Sequence, residues 1–289
     1  MESILWRSRV KGAKFFGVDA FRPEYDYLSA SSPGWGKVAL LTWDEEIFGF
    51  PVADFQLGPD PPRIQDLPLF ANALEGFSAK TKAQLVSAHT QGDDMSMIAR
   101  LVKAGFSPVE FSLVATLSKL QSAKLPTRRI ALRKALPEDH SSLCAIAETA
   151  FHFGRYHTDP QFPRHLANAR YVHWIRNALS GSSPDDHVFV LGQPGVVVGF
   201  MDVVVCDGRA DFRLAAVDPG KGSSLPGAGF LLYAESIRAT LELGARSAIT
   251  KIASANTQVL NIYSMLDFRF SKPEVVLHWH AQNSFNSLA

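Results

Sequence analysis

This chain has little of what marks secreted or metal-stapled domains. Its 289 residues include two cysteines, Cys144 and Cys206. Two cysteines in apolar surroundings give neither a disulfide framework nor the spacing of a zinc site. The basic segment 7–14 is not followed by the apolar core of a signal peptide. We therefore expect a cytoplasmic protein.

The chain also lacks long hydrophobic runs and an excess of one charge. Residues 188–206 are the one stretch that could be mistaken for a membrane span, and Gln193-Pro194-Gly195 inside it is a turn sequence between two β-branched runs. Two paired strands explain this stretch better than a spanning helix. The net charge is +1 and the basic residues are scattered, so we expect neither a nucleic-acid partner nor a membrane surface.

What is present predicts an α/β protein of two domains. The length favours two domains, and the apolar content of 46% supports ordered cores. The first domain, 1–120, is predicted to alternate strands at 36–43, 50–57, 83–88 and 109–117 with helices at 64–77 and 94–104. After a linker at 118–127, the second domain, 127–289, is predicted to contain a strand at 130–133, helices to about 150 and at 166–179, the hairpin, a strand ending at Val217, a glycine loop and its helix, a strand at 248–252, a helix at 256–266 and a last strand at 275–280.

The glycine loop is the segment with the clearest chemistry. An apolar strand ends at Val217, and Gly227-Ala228-Gly229 opens a segment with apolar residues at helical spacing. The first N–H groups of a helix lack internal partners and carry positive potential, and glycines let the backbone approach a phosphate. The pattern indicates a phosphate-binding helix N-terminus. A plain loop before a helix is the alternative.

The order of the second domain resembles the GNAT superfamily of acyl-CoA N-acyltransferases. The stretch from Asn256 to Tyr263, followed by Asp267-Phe268, is similar to the late motif of that family, which has Gly-Phe at the last two positions. The loop 224–229 matches the family's pyrophosphate loop with two departures: Ser224 replaces a basic or amide residue, and the loop is about two residues longer than usual for the family. Pro226 also removes one N–H. The resemblance implies that acetyl-CoA binds at Ala216, Val217, Gly227, Ala228, Gly229, Phe230, Asn256 and Tyr263.

A narrower resemblance covers nearly the whole chain. The segments 41–49, 105–110 and 155–160 resemble signatures of the dTDP-fucosamine acetyltransferase family, and Tyr171, Trp174 and Asn177 follow the last of them. That family has a smaller, truncated GNAT-like α/β domain before a GNAT domain. It acetylates the amino group of a nucleotide-linked deoxyamino sugar. The resemblance therefore implies a small-molecule amine as partner, and it leaves a homodimer open.

Two residues are expected to move protons. Amide formation expels a thiolate, and the Tyr263 phenol can protonate it, which is the role of the matching tyrosine in the family. The alternative is a ring that packs on its helix face. Glu110 matches an acidic residue of the family's first domain and could accept the proton of the attacking amine, while the alternative is an exposed strand-edge side chain.

The remaining candidates concern the acceptor and a metal. Arg155, Tyr156, His157 and Trp174 are expected to contact the substrate, because Arg pairs with diphosphate and aromatic rings stack on a base. An aromatic-rich helix connection is the alternative for the first three. His278 and His280 share one face of a strand, but no third ligand is visible beside them, so no metal is expected.

Two other functions stay open at this point. The acceptor could be another small amine or a peptide. The altered loop could also have lost catalysis and left an acyl-CoA-binding module. Affinity for acetyl-CoA and an acceptor screen separate these functions.

Overall fold

The structure is a computed structural model that describes residues 26–181, 183–223, 225–282 and 284. The basic segment 7–14 and Ser224, both used in the sequence argument, lie outside these residues. The described part of the chain forms two compact units. The first unit holds 26–112, Phe153–Arg170 and 272–284, and the second holds Leu113–His152 and Tyr171–Ser271. The predicted domains, 1–120 and 127–289, stay a prediction, because compactness does not show which segments fold alone.

The first unit is built on a mixed sheet. Its strands are β1 (Asp26–Tyr27), β2 (Gly36–Leu40), β3 (Val52–Leu57), β4 (Leu85–Gln91), the 107–112 part of β5 (Ser107–Leu117) and β12 (Glu274–His280). They lie in the order β1-β2-β3-β4-β12-β5. Strands β3 and β4 are parallel and the other neighbours are antiparallel. The helices are α1 (Thr42–Phe48), α2 (Leu67–Thr81), α3 (Met95–Lys103), α5 (Arg155–Thr158) and the 164–170 part of α6 (Arg164–Leu179).

Local signals predicted most of these elements. Helix α3 begins where the Asp94 carboxylate accepts the N–H of Met97 at 2.9 Å and ends before Gly105, whose φ is +96°. Phe55 and Phe70 belong to a buried cluster that joins the sheet to α2 and α3. Burial of such large side chains is the main stabilising contribution to a unit of this size.

One predicted strand in this unit is too long. Residues 36–43 are predicted as a strand, and Gly36–Leu40 is one, but Thr42 and Trp43 begin the helix Thr42–Phe48. Asp44 and Glu45 lie in its first turn, where the helix dipole favours acidic side chains, and Gly49 closes it at a φ of +76°. A helix of two turns is too short to show a clear hydrophobic period, so the apolar residues before it extended the predicted strand.

The second unit carries a second set of paired strands. They are the 113–117 part of β5, β6 (Leu132–Lys134), β7 (Asp186–Gln193), β8 (Val196–Cys206), β9 (Arg209–Val217), β10 (Ser247–Ala253) and β11 (Arg269–Phe270). Their order is β5-β10-β9-β8-β7-β6, with β11 on β5. The helices are α4 (His140–Thr149), the 171–179 part of α6, α7 (Pro219–Gly222), α8 (Ala228–Glu242) and α9 (Thr257–Met265).

The predicted hairpin within 188–206 is confirmed. Strands β7 and β8 pair antiparallel around Pro194 and Gly195, and Gly195 has a φ of +72°. Strands β8 and β9 form a second hairpin at Asp207-Gly208. Within the part of the chain that the structure describes, no helix has the length and apolarity needed to cross a membrane.

A stability prediction arises at the end of α9. Asp267 has a φ of +71°, a left-handed conformation that glycine adopts without strain. Its ion pair with Lys124, at 3.3 Å, joins largely exposed groups and adds little. We expect Asp267→Gly to raise the free energy of unfolding by about 0.5–1 kcal/mol and Asp267→Ala to lower it. Urea denaturation of the three proteins checks this order, and an alanine variant as stable as the glycine variant would contradict it.

Candidate active site

The second unit contains an opening between two parallel strands. Strands β9 and β10 pair only from Arg209 with Ser247 to Asp211 with Ile249. Beyond these pairs β9 continues to Val217 with β8 as its partner, while β10 continues to Ala253. The carboxyl ends of the two strands therefore leave a gap, the usual place for a ligand in an α/β sheet. We call this gap, formed by 212–217 and 250–253, the strand opening.

A chain of hydroxyl groups lies where the strand opening begins. Thr250 donates its hydroxyl hydrogen to the carbonyl oxygen of Phe212 at 2.7 Å, in place of a ladder bond. The Tyr263 hydroxyl forms hydrogen bonds with Thr250 and Tyr233. The Tyr263 hydroxyl is thus held close to the point where the strands separate.

Tyr263 is itself a buried residue. It is 3% exposed and packs against the rings of Tyr233 and Phe268, with centroid distances of 5.1 and 4.8 Å. Burial raises the pKa of Tyr263 well above its ordinary value, so the phenol carries its proton at neutral pH. The ring packing given as the alternative for Tyr263 is therefore observed. The role as general acid stays a prediction.

Asp211 is a candidate that sequence reasoning missed. It occupies the last paired position of β9 before the strand opening and is half-buried. Burial raises the pKa of Asp211 to about 6, against the attraction of Arg213 and Arg209. Its charge also acts on Tyr263. The available signal was an acidic residue in the strand that leads into the glycine loop.

A buried charge cluster lies beside Asp211 on the same strands. Arg213, the extra residue of a β-bulge in β9, contacts Asp202 at 2.7 Å and Asp186 at 3.0 Å. Trp174 donates its indole N–H to the other oxygen of Asp202 at 3.0 Å. Trp174, expected to contact substrate, is thus engaged with this cluster, and its substrate role stays a prediction.

The glycine loop leads into a helix N-terminus, as predicted. After β9, Asp218 accepts the N–H groups of Gly220 and Lys221 at 2.8 and 3.1 Å and starts the short helix α7. Helix α8 follows with Gly227 as its N-cap at a φ of +78°, and glycine itself has no side chain to cap the helix. Among the described residues, a Cβ atom at Gly227 would meet nothing within 4 Å. The N-terminus of α8 therefore has room for an anion next to its first N–H groups.

The other predicted cofactor residues belong to the same unit. Ala216 and Val217 end β9, and Ala228, Gly229 and Phe230 form the first turn of α8. Asn256 caps α9 by accepting the N–H of Val259 at 3.3 Å, as a preferred N-cap residue does. Contact of these residues with acetyl-CoA stays a prediction.

The predicted acceptor residues Arg155 and Tyr156 lie in the first unit, around a buried carboxylate. Asp44 accepts the Tyr156 hydroxyl at 2.7 Å and the Nε–H of Arg170 at 2.7 Å, and Arg155 lies 3.5 Å away. Burial would raise the pKa of Asp44, but Arg170 and Arg155 hold it below its usual value. Asp44 therefore fixes these side chains, and their contact with substrate stays a prediction.

His157 and Glu110 also lie in the first unit. His157 contacts the Asn168 side chain through Nε2 at 2.8 Å. Glu110 is half-buried on β5 opposite Val276, and its charge acts on Arg155. Glu110 is thus not the exposed edge residue of the alternative. Its role as a base stays a prediction.

The structure brings a third polar group to the two strand histidines. Asp159 lies 2.7 Å from Nδ1 of His278 and 2.8 Å from Nε2 of His280, through one carboxylate oxygen. Burial would raise the pKa of Asp159, but the hydrogen bonds from both rings hold it below its usual value. Burial lowers the pKa of His278 to about 4, so its ring is neutral at neutral pH. The sequence showed no third partner here, since Asp159 is distant in the chain.

Comparison with solved structures identifies the fold. A GCN5-related N-acetyltransferase from Kribbella flavida matches 92% of this chain and 91% of its own with a TM-score of 0.56 and 16% identity. A functionally unknown conserved protein from Staphylococcus epidermidis matches 90% of this chain and 96% of its own, with a TM-score of 0.61 and 10% identity. A tandem GNAT protein from the clavulanic acid biosynthesis pathway matches 86% of this chain and 80% of its own, with a TM-score of 0.54 and 15% identity. The predicted fold class, an α/β mixed sheet with the GNAT fold, is confirmed.

Comparison by sequence reaches less far. No protein-family profile matches the chain. The spore coat polysaccharide biosynthesis protein SpsD of Bacillus subtilis (strain 168) is 27% identical over 133 residues. The aligned part is 46% of this chain and 44% of that relative, so it covers less than half of either protein.

Proposed function

We propose that this protein is an N-acetyltransferase that moves the acetyl group of acetyl-CoA directly to the amine of a sugar. The strand opening is the observation that carries the proposal. It lies in a unit of GNAT fold that also holds a proton-bearing phenol, Tyr263, a carboxylate, Asp211, and the helix N-terminus at Gly227. These are the three groups that acetyl transfer from a thioester to an ammonium ion requires.

In this proposal two residues beside the strand opening, Asp211 and Tyr263, divide the proton transfers. Asp211 accepts a proton from the ammonium group, and the neutral amine attacks the thioester carbonyl carbon. The C–N bond forms and the C–S bond breaks, and Tyr263 gives its proton to the departing sulfur. The second proton of the amine nitrogen, lost as the amide forms, restores the Tyr263 phenol. Backbone N–H groups near Val217 would stabilise the oxyanion. No covalent enzyme intermediate is needed.

Glu110 is the alternative to Asp211 as the general base. Glu110 is the base that the narrower resemblance implies, whereas Asp211 is favoured by its place at the strand opening and by a pKa of about 6, which burial raises towards neutrality. Asp211→Asn and Glu110→Gln, measured side by side, separate them. The base is the residue whose loss removes the low-pH limb of kcat/KM.

The acceptor is the finer part of the proposal. SpsD is named for spore coat polysaccharide biosynthesis, and this supports a sugar amine as the acceptor. A nucleotide-linked deoxyamino sugar accords with the resemblance of 155–160, where Arg155, Tyr156 and His157 would contact its diphosphate and base. Trp174 would contact the sugar. Another small amine or a peptide amine is the alternative acceptor.

The placement of acetyl-CoA makes a prediction at Gly227. Gly227→Asp adds a negative charge where the pyrophosphate is proposed to lie, and we expect acetyl-CoA affinity to fall by about tenfold or more, the effect of roughly 1.4 kcal/mol. Gly244→Asp is the matched control, because Gly244 has a φ of +87°, also faces open space, and follows the opposite end of α8. Calorimetry on both folded variants checks the placement. Equal affinity of the two variants would contradict it.

An acceptor screen tests the activity. The full chain is incubated with acetyl-CoA and a panel that contains nucleotide-linked amino sugars, free amino sugars, aminoglycosides and amino-terminal peptides. We expect mass spectrometry to find an acetylated nucleotide-linked amino sugar with matching release of free CoA. Turnover of peptides alone would contradict the sugar acceptor. Binding of acetyl-CoA without turnover of any amine, in protein with a native melting curve, would indicate the binding module.

A further inference from the structure

We propose that Asp159, His278 and His280 form a binding site for one divalent transition-metal ion, with zinc as the best fit. This site belongs to the first unit and is independent of the proposed acetyl transfer. Ligand atoms of the three side chains all lie within 4.8 Å of one another. Two imidazole nitrogens and one carboxylate oxygen are a donor set that zinc accepts with three protein ligands and a fourth position left for water or another group.

The scaffold holds the three donors in place. His278 and His280 lie two residues apart and share one face of β12, and their side chains are 0% and 7% exposed. Asp159 is 2% exposed, and its second oxygen accepts the backbone N–H of Gln161 at 3.0 Å. A carboxylate oriented in this way by an outer hydrogen bond is typical of metal ligands.

The distances require only a small adjustment. Nδ1 of His278 and Nε2 of His280 lie 2.7 and 2.8 Å from the same oxygen of Asp159. Around a tetrahedral zinc ion with bonds of about 2.0–2.1 Å, neighbouring ligand atoms are about 3.3 Å apart. An ion between the three donors would thus separate them by roughly half an ångström, which rotations of the side chains can supply.

A second observation supports the ion. The other nitrogen of His278, Nε2, is buried without a hydrogen-bond partner among the described residues, and so is the hydroxyl of Ser87, its cross-strand neighbour on β4. When Nδ1 binds a metal, the ring proton moves to Nε2. Ser87 does not bond to Nε2 in this structure, and we infer that its hydroxyl turns to accept that proton in the metal-bound form. Metal binding would therefore use two polar atoms that the hydrogen bonds to Asp159 leave idle.

The surrounding charges permit a cation. The positive charge of Arg155 acts on His278, but Asp44 lies 3.5 Å from that guanidinium. Asp159 supplies the one carboxylate of the donor set, beside two imidazoles. The bound ion would fix the segment that precedes α6 to strand β12.

Zinc titration of the full chain tests the site. After treatment with EDTA, we expect calorimetry to show one zinc ion bound per chain, and cobalt to give the visible absorption of a tetrahedral site. Asp159→Asn and His280→Gln should each weaken zinc binding by at least about 100-fold, since even outer-sphere changes cost 10–100-fold. Zinc should raise the melting temperature of the wild type but not of these variants.

His165→Gln is the matched control. His165 is exposed on α6, so its loss should leave zinc binding unchanged. A wild-type chain that takes up no zinc, or an Asp159→Asn variant that binds as the wild type does, would overturn the proposal. Equal loss in His165→Gln would overturn it as well. If His280→Gln fails to fold by circular dichroism, Asp159→Asn and the cobalt spectrum of the wild type decide.

Discussion

Tyr263→Phe is expected to lower kcat by about 10²–10⁴-fold, the usual contribution of general acid catalysis. The change keeps the ring, which packs against Tyr233 and Phe268, and removes only the hydroxyl group. Acetyl-CoA affinity should therefore stay nearly constant. The free energy of unfolding should fall by about 0.5–1.5 kcal/mol, the net value of one hydrogen bond. The measurement is a single-turnover rate with the best acceptor of the screen, because product release can mask the chemical step.

Tyr233→Phe provides the matched control for this result. Tyr233 is a buried tyrosine whose hydroxyl bonds to Tyr263, and burial raises its pKa as well. Its loss removes a hydroxyl from the same chain of hydrogen bonds but leaves the Tyr263 proton in place. We expect its single-turnover rate to stay within about tenfold of the wild type, below the range of general acid catalysis. Similar rates for Tyr263→Phe and the wild type would show that Tyr263 is only a packing residue.

Asp211→Asn is expected to lower kcat/KM about as strongly as Tyr263→Phe lowers kcat. Asparagine keeps the shape of the side chain but cannot accept the ammonium proton, so kcat/KM should fall by about 10²–10⁴-fold. In the wild type, kcat/KM should rise with pH through about 6, because burial raises the pKa of Asp211 to that value and only the ionised form is a base. The variant should lack this limb. A limb near pH 6 that persists in Asp211→Asn would assign it to another group.

The stability of the same variant gives a second check. The pKa of Asp211 is raised by folding, so the stability that its protonated form contributes is present below the unfolded value of about 4 and is lost as the pH rises through about 6. Asp211→Asn removes this loss, and its melting temperature at neutral pH should not be below that of the wild type. Asp207→Asn, in the exposed turn before β9, should leave both profiles unchanged.

The parts of the site that sequence predicted depend on local signals. Gly227 precedes the apolar helical pattern of α8 and so marks the start of that helix. Asn256 is a preferred N-cap residue, and the structure places it at the start of α9. The strand ending at Val217 also follows from its own composition. Each of these features is decided within a few residues, where propensity and capping act.

The parts that sequence did not predict depend on contacts between distant residues. Asp159 and His278 are 119 positions apart, and no periodicity connects them. Asp211 became a candidate only because the register of β9 and β10 ends at that residue. The helix Thr42–Phe48 was missed for another reason, since two turns are too few to show a period.

A structure of the complex with acetyl-CoA is the most direct test of the central claim. We expect the pyrophosphate to accept hydrogen bonds from the backbone N–H groups at the start of α8, next to Gly227. We expect the acetyl carbonyl in the strand opening and the sulfur within about 3–3.5 Å of the Tyr263 hydroxyl, the separation of reacting atoms in a near-attack geometry. Acetyl-CoA bound outside the strand opening, or with its sulfur remote from Tyr263 and Asp211, would contradict the account.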